Sequence, residues 1–182
     1  KIAYKSSKYI IEGGSLCDMD HILRIAEQNQ LKIVEDCALA IGSRYKGKHV
    51  GLFGDVGCFS FYPTKVMTMG EGGMLVTSRV DIAKVARSIK NRGLDPDSAN
   101  EQYVLPARNN RLPEISASMG LSQLRCLPGF LSQRRNVARI YDSILAKSEL
   151  FQPLEQGPGS ISSYWRYVVI PTVLLDRAAL KN

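Results

Sequence analysis

In the stretch "FSFYPTKVMTMGEGGMLVTS", residues 59–78, one lysine, Lys65, stands between an aromatic-rich run and a glycine cluster that leads into a second strand-like run. Apolar and aromatic surroundings disfavour the charged form of an amine, and the neutral amine is the nucleophile that Schiff-base chemistry needs. The plain alternative is a surface lysine on a loop. Asp36 follows the short apolar run "LKIVE". At the carboxyl end of a buried strand, where α/β folds open their ligand crevice, a carboxylate is either a helix cap or a partner for a cationic ligand group. Ser60, on the run before Lys65, is either a hydroxyl for a phosphate or an ordinary strand residue. Gly70, Gly72 and Gly73 around Glu71 either bring backbone close to a ligand or make the turn between strands. None of these is specific alone.

The elements that must position them are legible as a pattern. "DMDHILRIAEQNQ" predicts a helix with Ile22, Leu23, Ile25 and Ala26 on one face behind capping aspartates. "LKIVE" reads as a buried strand, and "DCALAIGSRYKGKHVGLFGDVG" as a short helical turn and irregular loops. "GCFSFYP" and "GGMLVTS" are expected as two more strands, and "VDIAKVARSIKNRG" as a helix stopped by Gly93. "LDPDSANEQYVLPARNN" is a polar connection long enough to suggest a functional loop. "LPEISASMGLSQLRCL" and "GFLSQRRNVARIYDSILAKSEL" read as two helices separated by Pro128-Gly129, the second with Phe130, Leu131, Val137, Ile140, Tyr141 and Ile144 as its apolar stripe. "QPLEQGPGSISS" reads as a linker and "YWRYVVIPTVLL" as the start of another strand. This order predicts an α/β fold, a mostly parallel sheet flanked by helices, followed by the start of a smaller C-terminal α+β domain. The expected division is 1–127 for the large domain, 128–148 for a connecting helix and 149–182 for the small domain.

Composition narrows the class. Among 182 residues, 45% are hydrophobic and 23% charged, which suits a globular domain and excludes a disordered chain. No stretch approaches the roughly 20 apolar residues of a membrane span, and the first residues lack the pattern of a secretory signal, so a cytoplasmic protein with no membrane partner is expected. Cys17, Cys37, Cys58 and Cys126 form no C-x-x-C, and only His21 and His49 could join them; no metal site is expected, and the cysteines read as small buried side chains. The net charge of +7 suits anionic ligands. Its densest basic cluster, Arg134 and Arg135 with Arg139, reads as a solvated helix face, and no nucleic-acid partner is expected.

Taken together, "IVEDCALAIGSRYKGKHVGLFGDVGCFSFYPTKVMTMGEGGMLVTS", "KNRGL", "NNRLPEISASMGLSQL" and "RRNVARIYDSIL" resemble the DegT/DnrJ/EryC1/StrS family of sugar aminotransferases, pyridoxal-phosphate enzymes with an aspartate-aminotransferase-like large domain. The resemblance implies that Lys65 forms the internal aldimine with pyridoxal 5'-phosphate, that Asp36 pairs with the cofactor's pyridine nitrogen, and that Ser60 binds its phosphate. It further implies that Asn109 reaches the cofactor phosphate of a neighbouring subunit in a homodimer, with Arg111 ordering that segment. The implied reaction moves an amino group from glutamate or glutamine to a nucleotide-linked keto-deoxysugar, giving an aminosugar. Three positions depart from the family's usual residues: Leu39 for glutamine or histidine, Arg92 for histidine, and Asn110 for an aromatic. The phosphate loop and cofactor-stacking aromatic of such enzymes are not recognisable in the sequence, so by this resemblance the chain is expected to be the central piece of a longer protein.

Overall fold

The computed structural model describes residues 16–173. Helix α1 (Met19–Gln28) starts at Asp18, whose carboxylate accepts the His21 N–H at 3.1 Å, and buries Met19 and Ala26. Its cap satisfies one of the N–H groups that a helix start leaves without a partner. Strand β1 (Val34–Asp36) pairs in parallel with β4 (Val56–Ser60), which pairs antiparallel with β5 (Gly73–Val76). Helix α2 (Val80–Lys90) follows β5, and Arg92 and Gly93 beyond it both take positive φ, so the chain turns where the glycine was expected to stop it. The α/β class stands; of the two strand joins in this sheet, one is parallel and one antiparallel.

Two corrections concern segments expected to be irregular. Within the loop after β1 lies a hairpin, β2 (Arg44–Tyr45) with β3 (Lys48–His49). Its two turn residues, Lys46 and Gly47, have φ of 47° and 80°, the paired left-handed conformation that matches the twist of a tight hairpin and that glycine adopts without strain. The expected linker, residues 152–163, takes in the end of β6 (Phe151–Pro153) and all of β7 (Ser160–Ile161). Strand β7 adds to β2 on the side away from β3, and β6 pairs with β8 (Val169–Pro171).

A third correction concerns the expected pair of helices, which form one helix, α3 (Glu114–Leu145), with Pro128 inside it. A proline there removes one backbone bond and crowds the preceding turn, a cost of about 3 kcal/mol. Tertiary contacts offset that cost: beyond the proline Leu131 lies against Gly42 and Arg135 bonds the Gly42 carbonyl, and before it two further contacts hold the helix. Leu127 packs on the buried cluster of Phe61, Met67 and Met69, and Gly120 lies against Met69. The apolar stripe is also not the core that was expected: Val137, Ile140, Tyr141 and Ile144 are exposed among the described residues. Of the four cysteines, only Cys37 is buried, and Cys126 is exposed. Cys37 belongs to a second cluster with Ala40 and Val50, and Phe59 packs against both.

Asp55 ties the edges of the sheet together. Its carboxylate accepts the Ile33 N–H at 3.0 Å and an Arg79 guanidinium N–H at 2.9 Å, with Lys32 Nζ at 3.3 Å. Burial pushes this carboxyl up, but the Ile33 N–H and the two cations outweigh it and hold it below the usual carboxylate range. A lowered native pKa contributes stability that is present above the unfolded value, about 3.9, and is lost as pH falls through the native value. Asp55→Asn is therefore expected to cost about 1 kcal/mol near neutral pH, with the gap to wild type closing below about pH 4. Denaturant unfolding of both proteins across that range checks it.

Candidate active site

Strand β1 alternates its side chains, so Glu35 and Asp36 leave opposite faces. The Glu35 carboxylate turns inward and accepts three backbone N–H groups, from Gly51 at 2.7 Å, Phe53 at 2.6 Å and Gly54 at 2.7 Å. These bonds curl residues 51–54 around the carboxylate. Gly57, opposite Glu35 in the parallel register, then packs on the backbone of Gly51, where a Cβ would lie 2.4 Å from the Gly51 Cα. Sequence reasoning missed Glu35. The signal that could have found it is a glutamate inside a buried strand, with "GLFG" nearby to offer free N–H groups.

Asp36 pairs in register with Cys58, two residues before Ser60, so both candidate residues stand at the ends of adjacent strands. Asp36 Oδ1 accepts the Ala38 N–H at 3.0 Å; residues 37–43 form turns and no helix, so Asp36 braces a turn and caps no helix. Burial, with the Glu35 and Asp36 charges, raises the Cys37 thiol well above its ordinary range and leaves it an inert core group. Ser60 Oγ accepts the Tyr62 N–H at 3.4 Å. Leu39, one of the three unusual positions, accepts the Ser163 hydroxyl at its carbonyl, at 3.3 Å.

Lys65 sits in a turn that closes on one point. Its own N–H reaches the Tyr62 carbonyl at 3.0 Å, and the Phe61 carbonyl then accepts both Thr68 Oγ1 and the Met69 N–H, each at 3.0 Å. Phe61, Val66 and Met67 are buried, whereas Lys65 is half-buried and lines an open cleft of about 610 Å³. Across the cleft stand Tyr141 of α3 and the segment from Tyr164 to Tyr167. Burial raises the Tyr167 phenol, and so does its hydrogen bond of 2.5 Å to the Asp142 carboxylate.

That segment is held by residues expected to be solvated. Arg134 donates to the carbonyls of Tyr164 and Trp165, at 3.1 and 3.2 Å. Arg135 donates to those of Ser162 and Gly42, both at 3.1 Å. The basic cluster is thus a clamp, and only Arg139 keeps the exposed position expected for it. Buried Ser163 completes the attachment with its N–H on Ser43 Oγ at 2.8 Å.

Asp36, Ser60 and Asn109 do not line the cleft that holds Lys65. Asn109 is exposed, and its Oδ1 accepts the Arg111 N–H at 3.3 Å and Arg111 Nε at 3.0 Å. Arg111 also reaches Asn91 at 3.4 Å, so it orders this segment as expected. In chemical type, an amine, a hydroxyl and a carboxylate, the donor set suits a pyridine aldehyde phosphate, with Asp36 and Ser60 on the strand ends outside the cleft. A primary amine follows the strand end that carries the hydroxyl, and the carboxylate ends the adjacent strand.

The profile of the DegT/DnrJ/EryC1/StrS aminotransferase family matches residues 7–181. GDP-perosamine synthase of Escherichia coli O157:H7 is 36% identical over 171 residues, which is 93% of this chain and 46% of that protein. The chain thus spans less than half the length of that relative. Among solved structures, the aminotransferase TlmJ of Streptoalloteichus hindustanus superposes with a TM-score of 0.80 at 32% identity, covering 86% of this chain and 43% of that one. Spr1654 of Streptococcus pneumoniae, solved in PLP and PMP forms, superposes with TM-scores of 0.78 and 0.79 at 28% and 29% identity, covering 87% of this chain and 46% and 45% of those chains.

The knot at Glu35 can be tested directly. In Glu35→Gln, an amide N–H group must face at least one of the three backbone donors, which costs about 2–3 kcal/mol. Denaturant unfolding should show that loss, while Glu35→Asp, which keeps the charge on a shorter arm, should lose less.

Proposed function

Because the chain belongs to the DegT/DnrJ/EryC1/StrS aminotransferase family, we propose that the protein carrying it is a pyridoxal 5'-phosphate-dependent aminotransferase. It moves an amino group from glutamate or glutamine to a nucleotide-linked keto-deoxysugar. The observation that carries this reading is Lys65, whose backbone is held in a closed turn and which lines the cleft. A nucleotide-sugar acceptor agrees with what the Escherichia coli relative is named for making.

When bound, the cofactor supplies an electron sink for the pair left on the donor carbon after proton loss. In this reading Asp36 keeps the proton on the ring nitrogen, because a carboxylate beside a cationic ring favours its charged form. The Ser60 hydroxyl donates to the phosphate. Lys65 Nζ would hold the cofactor and, once free, would act as the base that takes the proton from the donor carbon and returns it one position away. Asn109, steadied by Arg111, reaches a second copy's cofactor phosphate, which makes the protein a homodimer with shared sites. In this reading the protein works in the cytoplasm.

Borohydride reduction of the cofactor-loaded protein, followed by peptide mass mapping, tests the reading. The expected result is a single labelled lysine at Lys65 and, in Lys65→Ala, loss of the label with at least about a 10³-fold loss of amino transfer. A label on another lysine, or transfer that survives Lys65→Ala, overturns it.

A further inference from the structure

Trp165 is the single tryptophan of the chain and meets the lysine's turn at two points. Its Nε1–H donates to the carbonyl of Thr64 at 2.6 Å, and Lys65 Nζ lies 5.3 Å from its ring centroid. The first contact fixes the residue just before the lysine. The second places the amine within the roughly 6 Å over which an aromatic face attracts a cation. Neither contact rests on a mobile support, because the Trp165 and Tyr164 carbonyls are held by Arg134 and Ser163 is bonded to Ser43 and Leu39. The Arg166 guanidinium also lies over the ring, 4.2 Å from its centroid, and adds a second cation to the same surface.

We propose that Trp165 is the positioning residue for Lys65: its indole N–H holds the lysine's turn and its ring holds the amine, once it has taken up a proton, in one place while the donor occupies the cofactor. This rests on the assignment of Lys65 as the cofactor-bearing lysine. A free lysine chain has four rotatable bonds and many rotamers, and ordering such a side chain costs on the order of 2 kcal/mol. A ring face near the amine and a tether on the adjacent carbonyl reduce that search before each proton transfer. The role is therefore felt after the lysine leaves the cofactor.

The experiment uses the whole protein that carries the chain. The emission of Trp165, taken as the difference between wild type and Trp165→Phe without cofactor, should shift when Lys65→Met removes the charge from its ring. In single turnover with L-glutamate, read from cofactor absorbance, Trp165→Ala should slow the maximal rate about tenfold while half-saturation by glutamate changes less than about twofold. Trp165→Phe, which keeps a ring and loses the N–H, should recover part of that loss and covers the case in which the alanine variant does not fold. An unchanged emission together with full-rate turnover in Trp165→Phe overturns the proposal, even where borohydride still labels Lys65. Failure to label Lys65 in wild type instead overturns the assignment it rests on, and the emission shift still decides whether Trp165 contacts the lysine.

Discussion

Three backbone N–H groups converge on the Glu35 carboxylate, and the rest of the site depends on that convergence. A buried carboxylate is tolerable only where its lone pairs are filled, so the chain from Gly51 to Gly54 has little choice of conformation. That conformation allows the Gly57 backbone to rest on Gly51 and sets β4 beside β1. Asp36 and Ser60 inherit their places from this pairing, and the turn with Lys65 begins where β4 ends. The residue next to the candidate cofactor carboxylate is thus the one that makes the strand pair possible.

A second charge arrangement closes the other side. Arg134 and Arg135 on α3 bond four carbonyls, three of them in the segment that carries Trp165. Several donors on one planar group let each arginine bridge two acceptors, which a lysine's compact ammonium does with far less geometric control. The helix acts as a rail for this segment as well as a packing surface, and its contacts with Met67, Met69 and the arginine-bound carbonyls lie on both sides of Pro128.

Where local signals are strong, the sequence is readable. The aspartate before α1, the apolar run of β1 and the glycine-bounded run of β5 each carry their own cue, and Asp36, Ser60 and Lys65 stand out as candidates because they lie at or just beyond the ends of such runs and match the family's motifs. The β2–β3 hairpin was not, since two-residue strands show no period and only Lys46-Gly47 marks it. Pro128-Gly129 reads as a stop, and a local rule cannot weigh the packing that carries α3 through it. Glu35 was hidden because its partners are backbone groups, and Arg134 and Arg135 for the same reason. Trp165 meets Thr64 across a separation of 101 residues, which no window along the chain spans.

Those separations also order events in time. Arg135 meets Gly42 across 93 residues and Ser163 meets Ser43 across 120. Closing a loop of such length adds little to the entropy cost, since each doubling is about 0.6 kcal/mol, but it delays the contact. During synthesis at about 5–20 residues per second, the turn with Lys65 leaves the ribosome roughly 5–20 seconds before Trp165 does. The proposed nucleophile, Lys65, is therefore assembled first and its aromatic wall last, so a nascent chain that has already folded its strand pair still holds that amine unsheltered.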